Sequence, residues 1–298
     1  MKKQHVTLLL LLTVATAMTV GCGTSTTVPK FTKVAFVSQR SVTPPTPLFM
    51  SNLDGTDVTP IPVSNNGFSN FPSISADFKT IVYATGGNIW VEVSGGTATQ
   101  LTTTGQSYFA RISPSGKKIV YNQYDSTSNG YHFWILNPDG TGKLDLTATF
   151  PAGMTSCYDG SFSADSLQVA FACYGNNMDG LFTIKIDGTG LKTVFTQSGW
   201  LDLPSFSPDN TKLVFNGQVI PSASATTYGV GSVKMDGTGV TLLVTNSFDG
   251  TVLNANLYYS AYSSSVGHQQ IYKANLDGTT PVSVSDGTSN DYLAQTGP

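Results

Sequence analysis

Charge is scarce in this chain of 298 residues, where Asp, Glu, Lys and Arg together make up only 11%. No basic patch stands out, which excludes an ordinary nucleic-acid partner, because phosphates call for clustered Lys and Arg. Histidine is scarcer, with three in all. His5 lies in an apolar leader, and His132 and His268 alone fall short of the three or four ligands of a metal centre. Both read as surface loop histidines. No Gly-x-Ser-x-Gly elbow is present, so no serine hydrolase site is apparent. The recurring Asp-Gly-Thr triplets lack the alternating acidic ligands of a calcium loop. No catalytic residue, metal or cofactor is therefore assigned. Helix-period patterning is nearly absent, and short β-rich runs broken by Gly, Asp, Asn and Pro dominate, which reads as all-β.

The one long apolar run comes first. Lys2 and Lys3 precede Val6–Val20, which includes five consecutive leucines at Leu8–Leu12. That run is shorter than the roughly 20 residues of a membrane span and reads as a secretory leader. Thr19-Val20-Gly21-Cys22 resembles the box of bacterial lipoproteins, in which a cysteine is lipidated and becomes the first residue. The resemblance implies a signal peptide over 1–21, lipidation at Cys22 and a lipidated terminus and tether over 22–30. Gly23 in place of Asp implies retention at the outer membrane, with the protein facing the periplasm or the cell surface. Gly23–Pro29 would reach at most about 25 Å when extended. Without Lys2 and Lys3, 13 basic and 18 acidic residues leave a net charge of −5.

From residue 31 onward the chain repeats itself. "FPSISADFKTIVYAT" (Phe71–Thr85), "FARISPSGKKIVYNQ" (Phe109–Gln123), "DGSFSADSLQVAFAC" (Asp159–Cys173) and "LPSFSPDNTKLVFNG" (Leu203–Gly217) share a strand, a turn opened by Ser, and a second strand. A second half follows each, as in "FWILNPDGTGKLDLT" (Phe133–Thr147) and "LFTIKIDGTGLKTVFT" (Leu181–Thr196), with two strands around an Asp-Gly turn. Further second halves fall at Leu48–Pro62, Ile89–Thr102, Gly231–Thr245 and Ile271–Ser285. The turn glycines Gly140, Gly188, Gly237 and Gly278 recur every 41 to 49 residues, the length of a propeller blade. Six second halves predict a six-bladed β-propeller of four-stranded blades (strands a to d, innermost to outermost) over 31–298. In the sixth, "VLNANLYYSAYSS" (Val252–Ser264) has lost the Ser turn, and the extent of its strand a is open.

The first unit starts at its second strand, Lys33–Gln39, and the last residues supply the missing one. Tyr292–Pro298 aligns on Asn70–Ala76 and Asp202–Pro208, with Ala294 in the column of Pro72, Ala110, Gly160 and Pro204, and Pro298 in that of Pro114 and Pro208. The ring should therefore close with three strands from the N-terminus and one from the C-terminus, leaving no open edge.

The pattern P-x-F-S-P-D-x-x-K-L-V-F followed by D-G-T resembles the TolB-type β-propeller repeat, related to WD-type repeats, over Lys33–Pro298. It implies the fold rather than an activity. About ten residues separate Cys22 from the first strand, where TolB carries an α/β domain, so the resemblance implies a stand-alone propeller lipoprotein and not TolB proper.

Cys157 and Cys173 flank a hairpin turn near Ala164–Leu167 and should fall opposite each other, as a disulfide or as two buried thiols. In a propeller, a–b and c–d turns share one face and b–c and d–a loops the other. The varied loops lie on the second face: Ser38–Pro47, Tyr124–His132, Tyr174–Gly180 and Gly217–Gly229. Function on a rigid scaffold concentrates in such loops. The d–a loops bring Tyr108, Tyr158, Trp200, Asp202 and Tyr292 to the channel mouth, with Tyr124, His132 and Tyr228 beside them. Aromatics near polar groups suit a protein or glycan surface; packing between blades is the other reading. The expectation is a monomeric, non-enzymatic envelope lipoprotein that binds an envelope protein or a cell-wall glycan and meets the membrane only through its lipid. The alternative is a polysaccharide lyase or hydrolase acting at the channel mouth.

Overall fold

A computed structural model describes residues 30–39, 48–63, 72–93, 95–175, 177–219 and 227–293. Among them the strands form six antiparallel four-stranded sheets. Blade two runs Ser73–Ile74, Thr80–Thr85, Asn88–Val93, Thr99–Gln100 from strand a to strand d, and blade three Ser107–Ile112, Ile119–Asp125, Gly130–Leu136, Leu144–Asp145. Blade four runs Ser156–Phe162, Gln168–Gly175, Met178–Lys185, Lys192–Gln197, and blade five Leu201–Phe206, Lys212–Val219, Thr227–Lys234, Thr241–Thr245. Blade six is complete, with Ser247–Leu253 as the strand a that the sequence left open, then Asn256–Ser263, His268–Asn275 and Val282–Ser283. From blade two to blade six, neighbouring blades touch through their a strands around the channel. The protein is a six-bladed β-propeller.

Blade one closes the ring. Lys33–Ser38, Leu48–Asn52 and Thr59–Pro60 are joined by Asp291–Leu293, which lies antiparallel to the first of them with Phe36 opposite Leu293 and Ser38 opposite Asp291. Leu293 and Asp291 are fully buried. The Leu293 N–H donates to Ser260 Oγ of blade six at 3.2 Å, so the strand ties both neighbours together. Ala294 and Pro298, whose columns were assigned above, lie outside the described residues. Phe31, just ahead of Lys33–Ser38, is held at the a–b turn of blade six. Asn254 holds it by a paired contact: Nδ2 donates to the Phe31 carbonyl at 2.8 Å, and Oδ1 accepts from its N–H at 3.2 Å.

The repeated turns explain the repeated letters. In the a–b turns of blades two, four and five, Ser75, Ser163 and Ser207 donate to Asp77, Asp165 and Asp209 at 2.6–2.7 Å. Each serine also accepts from the amide five residues on. In the Asp-Gly-Thr turns the aspartate accepts from both the amide and the hydroxyl of the threonine, as Asp187 does from Thr189 at 2.9 and 2.7 Å. Gly237 shows why glycine sits between them. Its φ is +83°, and a Cβ there would lie 2.6 Å from the Val194 carbonyl of blade four, so the turn doubles as an inter-blade contact.

Between blades the core is aromatic. Phe133 of blade three stacks on Phe171 of blade four at 5.3 Å, and Phe171 stacks on Phe182 of its own blade at 5.8 Å. Cys157 and Cys173 face each other across strands a and b of blade four and are joined as a disulfide. Cys22 lies outside the described residues.

Candidate functional site at the channel mouth

Strand a of blades three to six carries one irregularity four times. Phe109-Ala110, Asp159-Gly160, Leu203-Pro204 and Asp249-Gly250 each stand opposite a single residue of strand b: Tyr121, Phe171, Phe215 and Tyr259. These are β-bulges, which bend a strand and re-aim its side chains. The first residue of each bulge is left-handed, with φ of 52° at Phe109, 48° at Asp159, 47° at Leu203 and 54° at Asp249. Such a conformation costs a non-glycine residue about 1–3 kcal/mol and tends to mark functional positions. Its consequence is visible at once. Asp202 and Leu203, adjacent in sequence, line the same pocket, as do Phe248 and Asp249. Strict alternation would send each pair to opposite faces.

The pocket has a volume of about 210 Å³ and opens at the end of the channel where the d–a loops enter. Arg111 reaches it fully buried, with its Nη1 donating to the Ala110 carbonyl at 3.0 Å. Asp159, Asp202 and Asp249 line the same pocket and act on this guanidinium through their charge. Burial pulls the guanidinium below its ordinary pKa, and the three aspartates oppose that pull. Asp202 is pushed well above the carboxylate range, first by burial and then by Asp159, to which it is hydrogen-bonded. Asp249 rises to about 6 through burial, although the Ser260 hydroxyl and Arg111 favour its charged form.

These shifts have a sign. Asp249 holds its proton more tightly in the folded state than its ordinary value of 3.8 allows, so folding stability declines as pH climbs from about 4 to above 6. Asp249→Asn removes that proton. Relative to the parent, the variant should gain stability over this window by up to roughly 3 kcal/mol, less whatever solvent in the pocket screens. Thermal melts at half-unit steps from pH 4 to 8 check this, and a pH-independent difference contradicts it.

Around the mouth lies an aromatic rim. Tyr131 sits at its centre, with ring centroids 6.2 Å from Tyr108, 5.3 Å from Tyr124 and 5.1 Å from Tyr158. Tyr158 in turn lies 5.0 Å from Tyr174, whose hydroxyl donates to the Leu201 carbonyl at 2.7 Å. The cluster bridges blades three, four and five, so these tyrosines both pack between blades and show part of their rings to solvent. Trp200 and Tyr228 lie 6.5 Å apart and are exposed, as is Phe248. Tyr292 pairs with Val37 in the closing strand and is half-buried.

His132 requires a correction. It was expected on a surface loop, and it lies within strand c of blade three, 7% exposed. The b–c hairpin runs to Asp125 and resumes at Gly130, so its loop is shorter than the sequence suggested. His132 Nδ1 stands 2.8 Å from Asp145 Oδ2, and Nε2 stands 3.0 Å from Ser128 Oγ. The acid favours the tautomer with Nδ1 protonated, which leaves Nε2 to accept from the hydroxyl. Phe150 covers the ring at 4.5 Å. His268 opens strand c of blade six, half-buried. Among the described residues no three His, Cys, Asp or Glu side chains are placed to hold a metal ion.

Sequence reasoning found Asp202 and missed Arg111, Asp159, Asp249, Asn216 and Phe248. One signal was present. Arg111 stands in a column filled by Ser73, Ser161, Ser205 and Thr251, and a lone arginine among small hydroxyl residues calls for buried acid nearby.

Fold and site define a ring-closed propeller with an acidic, aromatic-rimmed channel mouth. No family model matches the chain. Tol-Pal system protein TolB of Gluconobacter oxydans (strain 621H) is 34% identical over 100 residues, a match spanning 33% of this chain and only 21% of that protein. The crystal structure of TolB from Acinetobacter baumannii superposes with a TM-score of 0.67 at 16% identity, covering 87% of this chain and 65% of that one. A putative TolB from Agrobacterium tumefaciens superposes with a TM-score of 0.58 at 15% identity, covering 88% of this chain and 98% of that one. The chain shares its six-bladed β-propeller fold with these TolB structures, and its low identity to them is in keeping with a protein other than TolB itself.

Proposed function

We propose that this protein is a lipid-anchored scaffold of the bacterial envelope that holds a partner protein on the loop-bearing face of its propeller. One observation carries the reading: the tyrosine cluster, Trp200 and Tyr228 are gathered at a single end of the channel. Tyr and Trp supply large contact areas at low entropic cost and are enriched where proteins meet. The likeness to TolB proteins supports a binding scaffold of the envelope. Geometry adds an orientation. Phe31 is fixed by Asn254 in the a–b turn of blade six, so the folded body begins on the turn face. A tether lipidated at Cys22 would join the body on that side and turn the aromatic face away from the membrane. Gly23 fits the outer membrane. A cell-wall glycan is the other ligand this rim would suit.

Two results are expected. Cys22→Ser should move the protein from the membrane fraction to the soluble one. Tyr131→Ala with Tyr158→Ala should reduce co-purification of the partner at least tenfold while the parent and variant melt cooperatively. Undiminished capture would overturn the role of this face.

A hydrolase is the competing reading, and the Ser128–His132–Asp145 hydrogen-bond chain favours it, since that order is the one serine hydrolases use. Ser128 stands exposed on a hairpin tip and also approaches its own hairpin's Asp125 carbonyl at 3.4 Å. Glycan hydrolysis at the mouth is disfavoured, because glycosidase carboxylates stand about 5–9.5 Å apart, whereas Asp159 and Asp202 bond each other. Turnover of p-nitrophenyl butyrate that vanishes in Ser128→Ala would establish the hydrolase.

A further inference from the structure

We propose that the pocket at the channel mouth takes a single organic cation, the alkylammonium or guanidinium that ends a lysine or arginine side chain. This rests on the scaffold reading and names what the partner presents. Three observations converge. Asp159, Asp202 and Asp249 line the pocket with one cation, Arg111, so carboxyl groups outnumber cations on its wall. Two polar atoms of the wall are buried without a partner: Asp159 Oδ1, an acceptor, and Asn216 Nδ2, a donor on a side chain only 1% exposed. Asn216 Oδ1 is already committed to the Gly250 N–H at 3.0 Å, which fixes the amide with its NH₂ left over. Buried unpaired polar atoms cost about 1–3 kcal/mol each, and a ligand that pairs them recovers it. Finally, the aromatic side chains Trp200 and Phe248 line the pocket, and aromatic rings attract cations.

Size selects the ligand further. At about 210 Å³ the pocket is smaller than the roughly 300–1,000 Å³ of ordinary small-molecule sites. It suits one side chain rather than a sugar oligomer. Asp159 Oδ1 takes an N–H of the cation. Asn216 Nδ2 takes a carbonyl oxygen beside its stem, which a peptide carries and a polyamine lacks. Entry of a cation beside Asp202 favours its charged form, so binding releases a proton to solvent.

Nα-acetyl-arginine amide and Nα-acetyl-lysine amide are titrated against the full-length protein, with Nα-acetyl-norleucine amide as the uncharged control and spermidine as a cation without a carbonyl. Calorimetry in two buffers of different ionisation heat reads proton release, and Trp fluorescence follows binding. At least one charged amide should bind tenfold or more tighter than norleucine, with proton release at pH 6, and Asp159→Asn should weaken it at least tenfold. If that variant does not fold, proton release in the parent remains decisive. Equal affinity for norleucine, or binding without proton release, overturns the proposal. So does calcium binding that Asp202→Asn abolishes, since the site would then serve a metal. Spermidine binding as tightly as the amides would make the source a free cation: the pocket chemistry stands and the partner reading loses its support. A partner held by the rim and unaffected by Asp159→Asn, with no amide binding, would sink this inference and leave the scaffold reading intact.

Discussion

Deleting Ser289–Pro298 is expected to abolish a stable fold. The deletion removes Leu293 and Asp291, both fully buried, and strips strand b of blade one of its inner partner. It also removes the Leu293 N–H from Ser260 Oγ, which in turn donates to Asp249 at the channel. Loss of one buried leucine alone costs about 2–5 kcal/mol, and an unpaired inner edge adds to it. Net stability of a domain is only about 5–15 kcal/mol. The truncated chain should therefore accumulate as aggregate, or melt far below the parent. Leu293→Ala is the graded version and should lose about 2–5 kcal/mol. A truncated protein with an unchanged melting temperature would mean that the ring does not depend on its closing strand.

The second large effect is expected at Arg111. Arg111→Met keeps much of the side-chain volume and deletes the one cation among three aspartates. Breaking a buried pair by removing one partner typically costs about 3–5 kcal/mol, because the other charge is left uncompensated. Here the cost depends on pH. Without Arg111 the carboxylates bind protons still more tightly, so the variant is worst at pH 8, where the acids are pressed to ionise, and recovers as pH falls toward 5. Melting curves at pH 5 and pH 8 test this directly. A loss of equal size at both values would show that Arg111 acts by packing alone.

The two effects differ in how far the sequence foretold them. Closure was readable because turn chemistry repeats: Ser75, Ser163 and Ser207 mark the a–b turns, and Asp-Gly-Thr marks the c–d turns. Counting them left Lys33–Ser38 without a strand a and Tyr292 without a partner. Blade six kept its strand a although Asn254-Ala255 replaced the longer Ser turn, since pairing with strand b needs no particular turn. The channel was not readable in the same way. Asp159 and Asp249 share a column with Phe109 and Leu203, and alternation places that column away from the residues before it. The left-handed bulge turns it back toward the channel, and no local letter announces a bulge when the residue concerned is leucine or phenylalanine. Asp202 was singled out because the d–a loop of its blade leads into strand a at the channel mouth. His132 was misplaced because strands b and c of blade three extend beyond the polar residues that suggested a longer loop. The Ser128–His132–Asp145 chain escaped notice because its serine sits in no recognisable elbow and its aspartate comes from strand d.

The left-handed bulges also connect fold to function. Four non-glycine residues adopt costly backbone angles where a regular strand would do. What the ring gains is a set of adjacent side chains, Asp202 with Leu203 and Phe248 with Asp249, aimed at one small pocket beneath an aromatic rim.

The central claim is that the loop-bearing face is the working face, and in-cell photo-crosslinking tests it most directly. A photoreactive phenylalanine placed at Tyr228, exposed beside Trp200, is compared with one at Thr189, exposed in an Asp-Gly-Thr turn on the opposite face. The account predicts a discrete protein adduct from position 228 and none from position 189. An adduct from position 189 alone would contradict it, placing the partner on the turn face and leaving the aromatic rim without a role in binding.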